Sequence, residues 1–352
     1  MMAKTTNLKL VELFSGIGGF TKGFIDAGYK IEEHYFSEID KHTIANYKYN
    51  FKNARYVGSV VDIRPGDFRN IDILTGGFPC QPFSLAGKRL GFEDTRGTMF
   101  FEIIRILMEC KPKCVVLENV KGLLNHDNGR TFATIYRLLT EIGYEVECQL
   151  LNTKWFLPQN RERIYIVGHL TGKSNPGVFP IGKNEELYNE EKQKSASENP
   201  QKSIAKCLNA NDRKSWVGNF IEIPKTAKCL TVGGNSGGLN SDMTLIEIGT
   251  WRTHKDGNGF RAIKDNVSPT IPARAREDGS GQPVISQGNS IRRLTEIECE
   301  RLQGFPDNWT EYGNYDGTVK KIPKTQRYKM LGNAVTVKVV EEIAKRIQII
   351  NN

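Results

Sequence analysis

The sequence has no run of about 18 apolar residues, the length a helix needs to cross a bilayer, so a membrane-spanning helix is excluded. The first residues, Met1 to Thr6, have no apolar core behind their lysine, so no secretion signal is read there and the chain is expected to be cytoplasmic. Its seven cysteines (Cys80, Cys110, Cys114, Cys148, Cys207, Cys229 and Cys299) are an odd number and include no C-x-x-C pair. Cys110 and Cys114 have no histidine or second cysteine pair at zinc-finger spacing, so neither a disulfide framework nor a metal is expected. A basic tail is missing as well. The net charge of +9 is spread evenly: 22 basic against 19 acidic side chains over residues 1–170, 16 against 13 over 171–290, and 11 against 8 over 291–352. Such an excess fits a polyanionic partner and a slightly basic soluble enzyme about equally well.

What is present is an ordinary globular composition. The 352 residues are 38% hydrophobic and 25% charged, enough for two domains and a core that needs no covalent staples. Over residues 1–170, short apolar runs alternate with helical stretches. Strands are expected at Leu8–Phe14, Tyr35–Ser37, Ile71–Leu74, Cys114–Leu117 and Ile164–Val167, with helices at Gly19–Ala27, from Asp40, at Thr98–Glu109 and at Phe132–Leu139. That alternation predicts a doubly wound α/β sheet, which binds ligands at the carboxyl ends of its strands. Residues 171–203 are polar and read as a linker. Residues 204–290 turn Gly-, Asn- and Thr-rich and read as a small, irregular, β-leaning domain. Helical texture is expected again from Arg292, ending in an amphipathic helix over roughly Val335–Ile349.

Two segments carry chemistry. Phe14-Ser15-Gly16-Ile17-Gly18-Gly19 follows a strand and opens a helix, where glycines permit a tight turn and close approach of a ligand. Glu38 lies twenty residues past Gly18, placed for ribose hydroxyls, and Asp62 follows the third strand. The arrangement suits a nucleoside-containing cofactor. It departs from G-x-G-x-x-G, but alone it leaves NAD and S-adenosylmethionine both open. The second segment is Gly76-Gly77-Phe78-Pro79-Cys80-Gln81-Pro82-Phe83-Ser84, where two prolines stiffen a loop at a strand end and present one thiol. Glu118 ends the strand that begins at Cys114, and Arg161 and Arg163 stand at the start of another, so all converge on one sheet edge.

These residues resemble the DNA cytosine-5 methyltransferases. The motifs that carry the resemblance run in order: LFSGIGGF (13–20), SEID (37–40), VVDI (60–63), GGFPCQPFS (76–84), ENV (118–120), QNRERIYIVG (159–168), RRLTEIECERLQGFP (292–306) and QRYKMLGNAV (326–335). They cover the chain except for the variable 171–290. The resemblance implies a Rossmann-like, S-adenosylmethionine-dependent catalytic domain over 1–170, a linker over 171–203 and a target recognition domain over 204–290. Residues 291–352 would support that domain and return a last helix to the first.

The resemblance also implies roles. Cys80 would attack carbon 6 of a flipped cytosine, and Glu118 would protonate or hydrogen-bond N3. Arg163 would address O2, with Arg161 supporting the site electrostatically. Phe14, Gly16, Ile17, Gly19, Glu38, Ile39, Asp62, Ile63, Pro79, Asn333 and Val335 would hold S-adenosylmethionine, released as S-adenosylhomocysteine. Ile39 and Ile63 would grip the adenine faces. Double-stranded DNA is the implied partner, met by Gln81, Ser84, Lys88, Arg89 and Arg96 in the loop after the thiol. Arg274 and Arg276 would contact bases or phosphates. A monomer suffices, and a separate cognate restriction endonuclease is compatible. The rivals are a transfer-RNA cytosine methyltransferase on the same scaffold, a nicotinamide-dependent oxidoreductase that leaves Cys80 and Glu118 idle, and a non-catalytic DNA-binding protein.

Overall fold

The computed structural model describes residues 7–64, 66, 68, 70–79, 99–182, 246–251, 260–263, 267–273, 283–287 and 290–350. Cys80, Gln81, Ser84, Lys88, Arg89, Arg96, Arg274 and Arg276 lie outside these described residues. A seven-stranded sheet organises the first half of the chain. It contains β1 (Asn7–Leu13), β2 (Lys30–Phe36), β3 (Arg55–Tyr56), β4 (Ile73–Gly77), β5 (Cys114–Val120), β6 (Tyr144–Asn152) and, beyond the two-residue β7 (Gln159–Asn160), β8 (Glu162–Leu170). The order is β3-β2-β1-β4-β5-β8-β6. From β3 to β5 every neighbour is parallel, whereas β8 runs antiparallel to both β5 and β6. The sequence pattern anticipates β1, β2, β4, β5 and β8 but passes over the two-residue β3 and over β6, a half-buried edge strand without an apolar run.

Helices cover both faces. On one lie α1 (Gly19–Asp26) and, from the far end of the chain, the last helix (Val337–Arg346). On the other lie α3 (Met99–Cys110) and α4 (Arg130–Glu141), and α2 (Lys41–Asn50) follows β2. Alternation along β1 divides its side chains between these faces. Val11 and Leu13 join Ile103, Leu107, Ile135 and Leu139 in one core, and Leu8 and Leu10 join Phe20, Phe24, Val340 and Ile343 in the other. Glycine permits the closest approach: a Cβ at Gly23 would lie 2.5 Å from Val340 Cγ1. Asp40 caps α2, accepting from the amides of His42 and Thr43.

The polar stretch after residue 170 begins inside this core. Strand β9 (Ser174–Asn175) pairs with the terminal β17 (Gln348–Ile349), and Val178 and Ile181 are buried. Strands β10 (Ile246–Trp251), β11 (Phe260–Ala262), β13 (Pro283–Gln287) and β14 (Ser290–Arg293) form an antiparallel sheet, while β12 (Ser268–Pro269) pairs with β7. Arg292, where helical texture was expected to resume, lies in β14 because Ser290–Arg293 pairs with β13. The helix α5 (Glu296–Gln303) starts after it, on a capping box formed by Thr295 and Glu298. A hairpin, β15 (Tyr312–Tyr315) and β16 (Thr318–Lys321), packs on α2. It is followed by α6 (Lys324–Asn333) and the last helix, α7 (Val337–Arg346). The expected single helix Val335–Ile349 is thus shorter and preceded by another, with Ala334 and Thr336 extended between them.

Candidate active site

The strand order reverses between β1 and β4, and at their carboxyl ends opens a cleft. It is lined by Phe14 to Ile17, Gly19, Phe20, Gly77, Glu118 and Asn333 to Val335. The turn that forms its first wall is wound tightly. Phe14, Gly16 and Gly18 all have positive φ, at 51°, 52° and 83°. For Phe14 this is a strained backbone state, one that clusters at binding turns. Gly18 must be glycine also because a Cβ would fall 2.2 Å from the Phe51 ring. A Cβ on Gly16 would meet nothing within 4 Å, so that position faces open space.

Glu38 ties this wall to the next strand. Its Oε2 accepts from the Gly16 amide at 3.0 Å, and its Oε1 accepts from the amides of Ile39 and Asp40 at 2.7 and 3.1 Å. Ile39 is 79% exposed, an apolar side chain that none of the described residues covers. Ile63 is different. At 2% exposure it is packed in the core under the sheet edge. Val61, 52% exposed beside the exposed Asp62, is the apolar side chain this loop leaves open. Arg105 of α3, which the sequence did not single out, fixes the loop by donating to the carbonyls of Ile63 and Val60 at 2.8 and 3.0 Å.

The opposite wall carries the acid. Glu118 stands near the end of β5, 9% exposed, with its Oε1 3.0 Å from Arg163 Nε. The pair is off hydrogen-bond geometry, and Oε1 has no hydrogen-bond partner among the described residues. Burial raises the Glu118 pKa above the ordinary carboxyl range, against the opposing charges of Arg163 and Arg161. Arg163 can reach it because β8 is antiparallel: its first residues lie at the carboxyl ends of the parallel strands, Arg163 opposite Val120. Next door, Asn119 Nδ2 donates to Phe78 O at 2.9 Å, holding the stem from which exposed Pro79 leads to Cys80.

Arg161 is built in. It is 3% exposed, its Nη1 donates to Gly332 O at 3.2 Å, and its Nη2 donates to Ala334 O at 2.8 Å. Those carbonyls flank Asn333, so Arg161 joins the acid wall to the C-terminal wall and positions both. It keeps its charge near Glu118, and its Nε is buried without a hydrogen-bond partner among the described residues. Burial lowers its pKa to about 10, still charged at neutral pH. Lysine cannot span two divergent carbonyls. Arg161→Lys is expected to lower stability by about 1–3 kcal/mol, the cost of an unpaired buried carbonyl, and to weaken cofactor binding. Chemical denaturation and a ligand titration check it.

The C-terminal wall is held by contacts the sequence did not announce. Trp309 Nε1 donates to Ile17 O at 3.0 Å, and Gln303 Nε2 donates to Leu331 O at 3.0 Å. A Cβ on Gly19 would lie 2.5 Å from Val335 Cγ1, so only glycine lets this wall close on the first. Among the described residues no group of side chains is arranged to hold a metal ion, and no helix is long and apolar enough to cross a membrane.

Comparison with known proteins agrees along the whole chain. The model of the family described as C-5 cytosine-specific DNA methylase matches residues 8–349. The Type II methyltransferase M1.ScrFI of Lactococcus lactis subsp. cremoris is 37% identical, over 98% of this chain and 79% of that protein. The Type II methyltransferase M.HaeII of Haemophilus aegyptius is 39% identical, over 96% of this chain and 91% of that protein. The crystal structure of S. pombe Dnmt2 methyltransferase matches in fold, with a TM-score of 0.59 and 19% identity over 95% of this chain and 96% of that one.

Proposed function

Because the chain belongs to the C-5 cytosine-specific DNA methylase family, we propose that Cys80, Glu118 and Arg163 carry its reaction and that the cleft beside them holds the cofactor. The protein is a DNA cytosine-5 methyltransferase of the Type II kind. The observation that supports the site assignment is Glu118: a buried carboxyl with a raised pKa, paired with an arginine, bordering a cleft at the strand-order reversal.

S-adenosylmethionine, general to this family, supplies the methyl group and leaves as S-adenosylhomocysteine. The residues present fit it. Gly16 leaves open space, Glu38 sits at the cleft rim for ribose hydroxyls, and Ile39 and Val61 offer uncovered apolar faces near Asp62 for a purine. Asn333 and Val335 close the pocket. The chain's own chemistry answers the low nucleophilicity of cytosine carbon 5. A base inside the duplex is out of reach, so the cytosine is flipped into the site. The Cys80 thiolate bonds to carbon 6 while Glu118 gives its proton to N3, placing the electron pair on carbon 5. Arg163 meets the charge at O2. After methyl transfer a water molecule or hydroxide takes the proton from carbon 5, elimination breaks the bond to Cys80 and restores its thiolate, and N3 returns its proton to Glu118. A thiol of ordinary pKa is a minority thiolate at neutral pH, so either the nearby arginines favour its ionisation or it ionises as N3 takes its proton.

Residues 204–290 read the target sequence in this proposal, and Gln81, Ser84, Lys88, Arg89, Arg96, Arg274 and Arg276 meet the DNA. One chain supplies every wall of the cleft, so a monomer suffices. A separate cognate restriction endonuclease is compatible with this reading. Bisulfite sequencing of DNA from cells lacking cytosine methylation and expressing this chain tests the proposal. Methylation at one short motif is expected, moving to a relative's motif when 204–290 is exchanged. Unmethylated DNA together with methylated transfer RNA would favour the RNA reading instead.

A further inference from the structure

One buried acid takes no part in the scheme above. Glu12, on β1 two residues before Phe14, is 0% exposed. It points to the face covered by α1 and α7, opposite to Val11 and Leu13. Its Oε2 accepts from the Thr21 amide at 3.2 Å, the Thr21 hydroxyl at 2.5 Å and the Tyr47 hydroxyl at 2.7 Å. Behind them His34 Nε2 contacts Thr21 Oγ1 at 3.0 Å and Tyr47 Oη at 2.8 Å. Oε1 has no hydrogen-bond partner among the described residues. His34 and Tyr47 are the titratable groups in contact with this cluster, and burial disfavours the charged form of each.

The place of this carboxylate is informative. Thr21 is the third residue of α1, whose N-cap, Gly18, has no capping side chain. Its amide is one of the first-turn donors that a helix leaves unsatisfied. Glu12 takes that amide from inside the fold, and the Phe20 amide also favours the anion. In dinucleotide-binding folds the corresponding helix end is left open for phosphate, because its potential is positive. Here Gly19 and Phe20, the first two residues of α1, line the cleft instead. The same positive end that would favour phosphate would repel a cation.

We propose that Glu12 is a specificity-determining residue of the cofactor site: a buried counter-charge that cancels the positive end of α1 and adapts the cleft to a sulfonium. The inference rests on the cofactor reading made above. It accounts for why an acid is kept where a neutral acceptor would make the same hydrogen bonds. Burial raises the Glu12 pKa from 4.5 to about 7. Between those values the folded chain holds a proton that the unfolded chain has released, so stability falls as pH rises toward 7 and stays lower above it. A residue serving the fold alone would do better without the charge.

The test compares S-adenosylmethionine with S-adenosylhomocysteine, which lacks the sulfonium charge. Each is titrated calorimetrically into wild-type and Glu12→Gln protein at about pH 8, and melting temperatures are recorded alongside. Glu12→Gln is expected to weaken S-adenosylmethionine by about tenfold, the size of one pKa unit of electrostatic interaction, and S-adenosylhomocysteine by less than about threefold. It is expected to melt no lower than wild type. Should Glu12→Gln fail to fold, Tyr47→Phe takes its place. It removes a donor to the carboxylate and is expected to give the same selective loss at about threefold. Equal loss of both ligands, or no loss of either, overturns the inference while leaving the cofactor reading intact. Wild-type protein that binds neither ligand overturns the cofactor reading, and this inference with it.

Discussion

Cys80→Ser is expected to lower methyl transfer on the order of 10⁴-fold or more while leaving S-adenosylmethionine affinity unchanged. Losses of that size are typical when a nucleophile is removed from a unit whose parts act together. The hydroxyl is nearly the same size as the thiol but far less ionised near neutral pH, so it cannot open the attack on carbon 6. The cleft is lined instead by the glycine turn, Gly77, Glu118 and the Asn333 to Val335 segment, none of which depends on the sulfur. Single-turnover transfer of labelled methyl and a separate ligand titration measure the two effects independently. Turnover within about tenfold of wild type would refute covalent catalysis by this thiol.

The second large effect belongs to Glu118. Glu118→Gln is expected to slow the chemical step by about 10²–10⁴-fold, the range for a positioned general acid. An amide can hydrogen-bond N3 but cannot give it a proton. The pH dependence separates proton delivery from hydrogen bonding. Burial holds the Glu118 pKa above the ordinary carboxyl range, so the acid stays protonated to higher pH than an exposed one. Wild-type chemistry should therefore fall as pH rises through that elevated value, and the glutamine variant should lose that limb of its profile. A single-turnover series from acid to alkaline pH checks it. A glutamine variant with the wild-type profile would place the titrating group elsewhere.

The parts of this site legible in the sequence are those whose chemistry is local. A glycine turn after a strand, a thiol between prolines and a carboxylate at a strand end each advertise themselves within a few residues. Glu38 is found by its spacing from Gly18, and the structure brings it onto the Gly16 amide. What escaped depends on partners distant in the chain. Glu12 reads as a polar interruption in an apolar run, and its burial is settled by Thr21, His34 and Tyr47 on three other elements. Arg161 stands two residues from Arg163 in the sequence, and nothing local announces that its Nη1 and Nη2 reach the carbonyls of residues 332 and 334. Ile63 follows Asp62 just as Ile39 follows Glu38, but one turns into the core and the other into solvent. Strand β6 was missed because an edge strand, half-buried along most of its length, need not show an apolar run.

The return of the C-terminal segment has a consequence for how the enzyme is made. The Tyr29 hydroxyl donates to Ala344 O across 315 residues, and Val335 closes over Gly19 at the mouth of the cleft. Contacts of such separation form late, because the intervening chain must be ordered before they can repay its entropy. On a ribosome, the glycine turn waits for its lid until residues 333–346 have left the exit tunnel. A chain that lacks residues 333–346 therefore carries Cys80 and Glu118 without a closed cleft, and it is not expected to modify DNA until those residues are made.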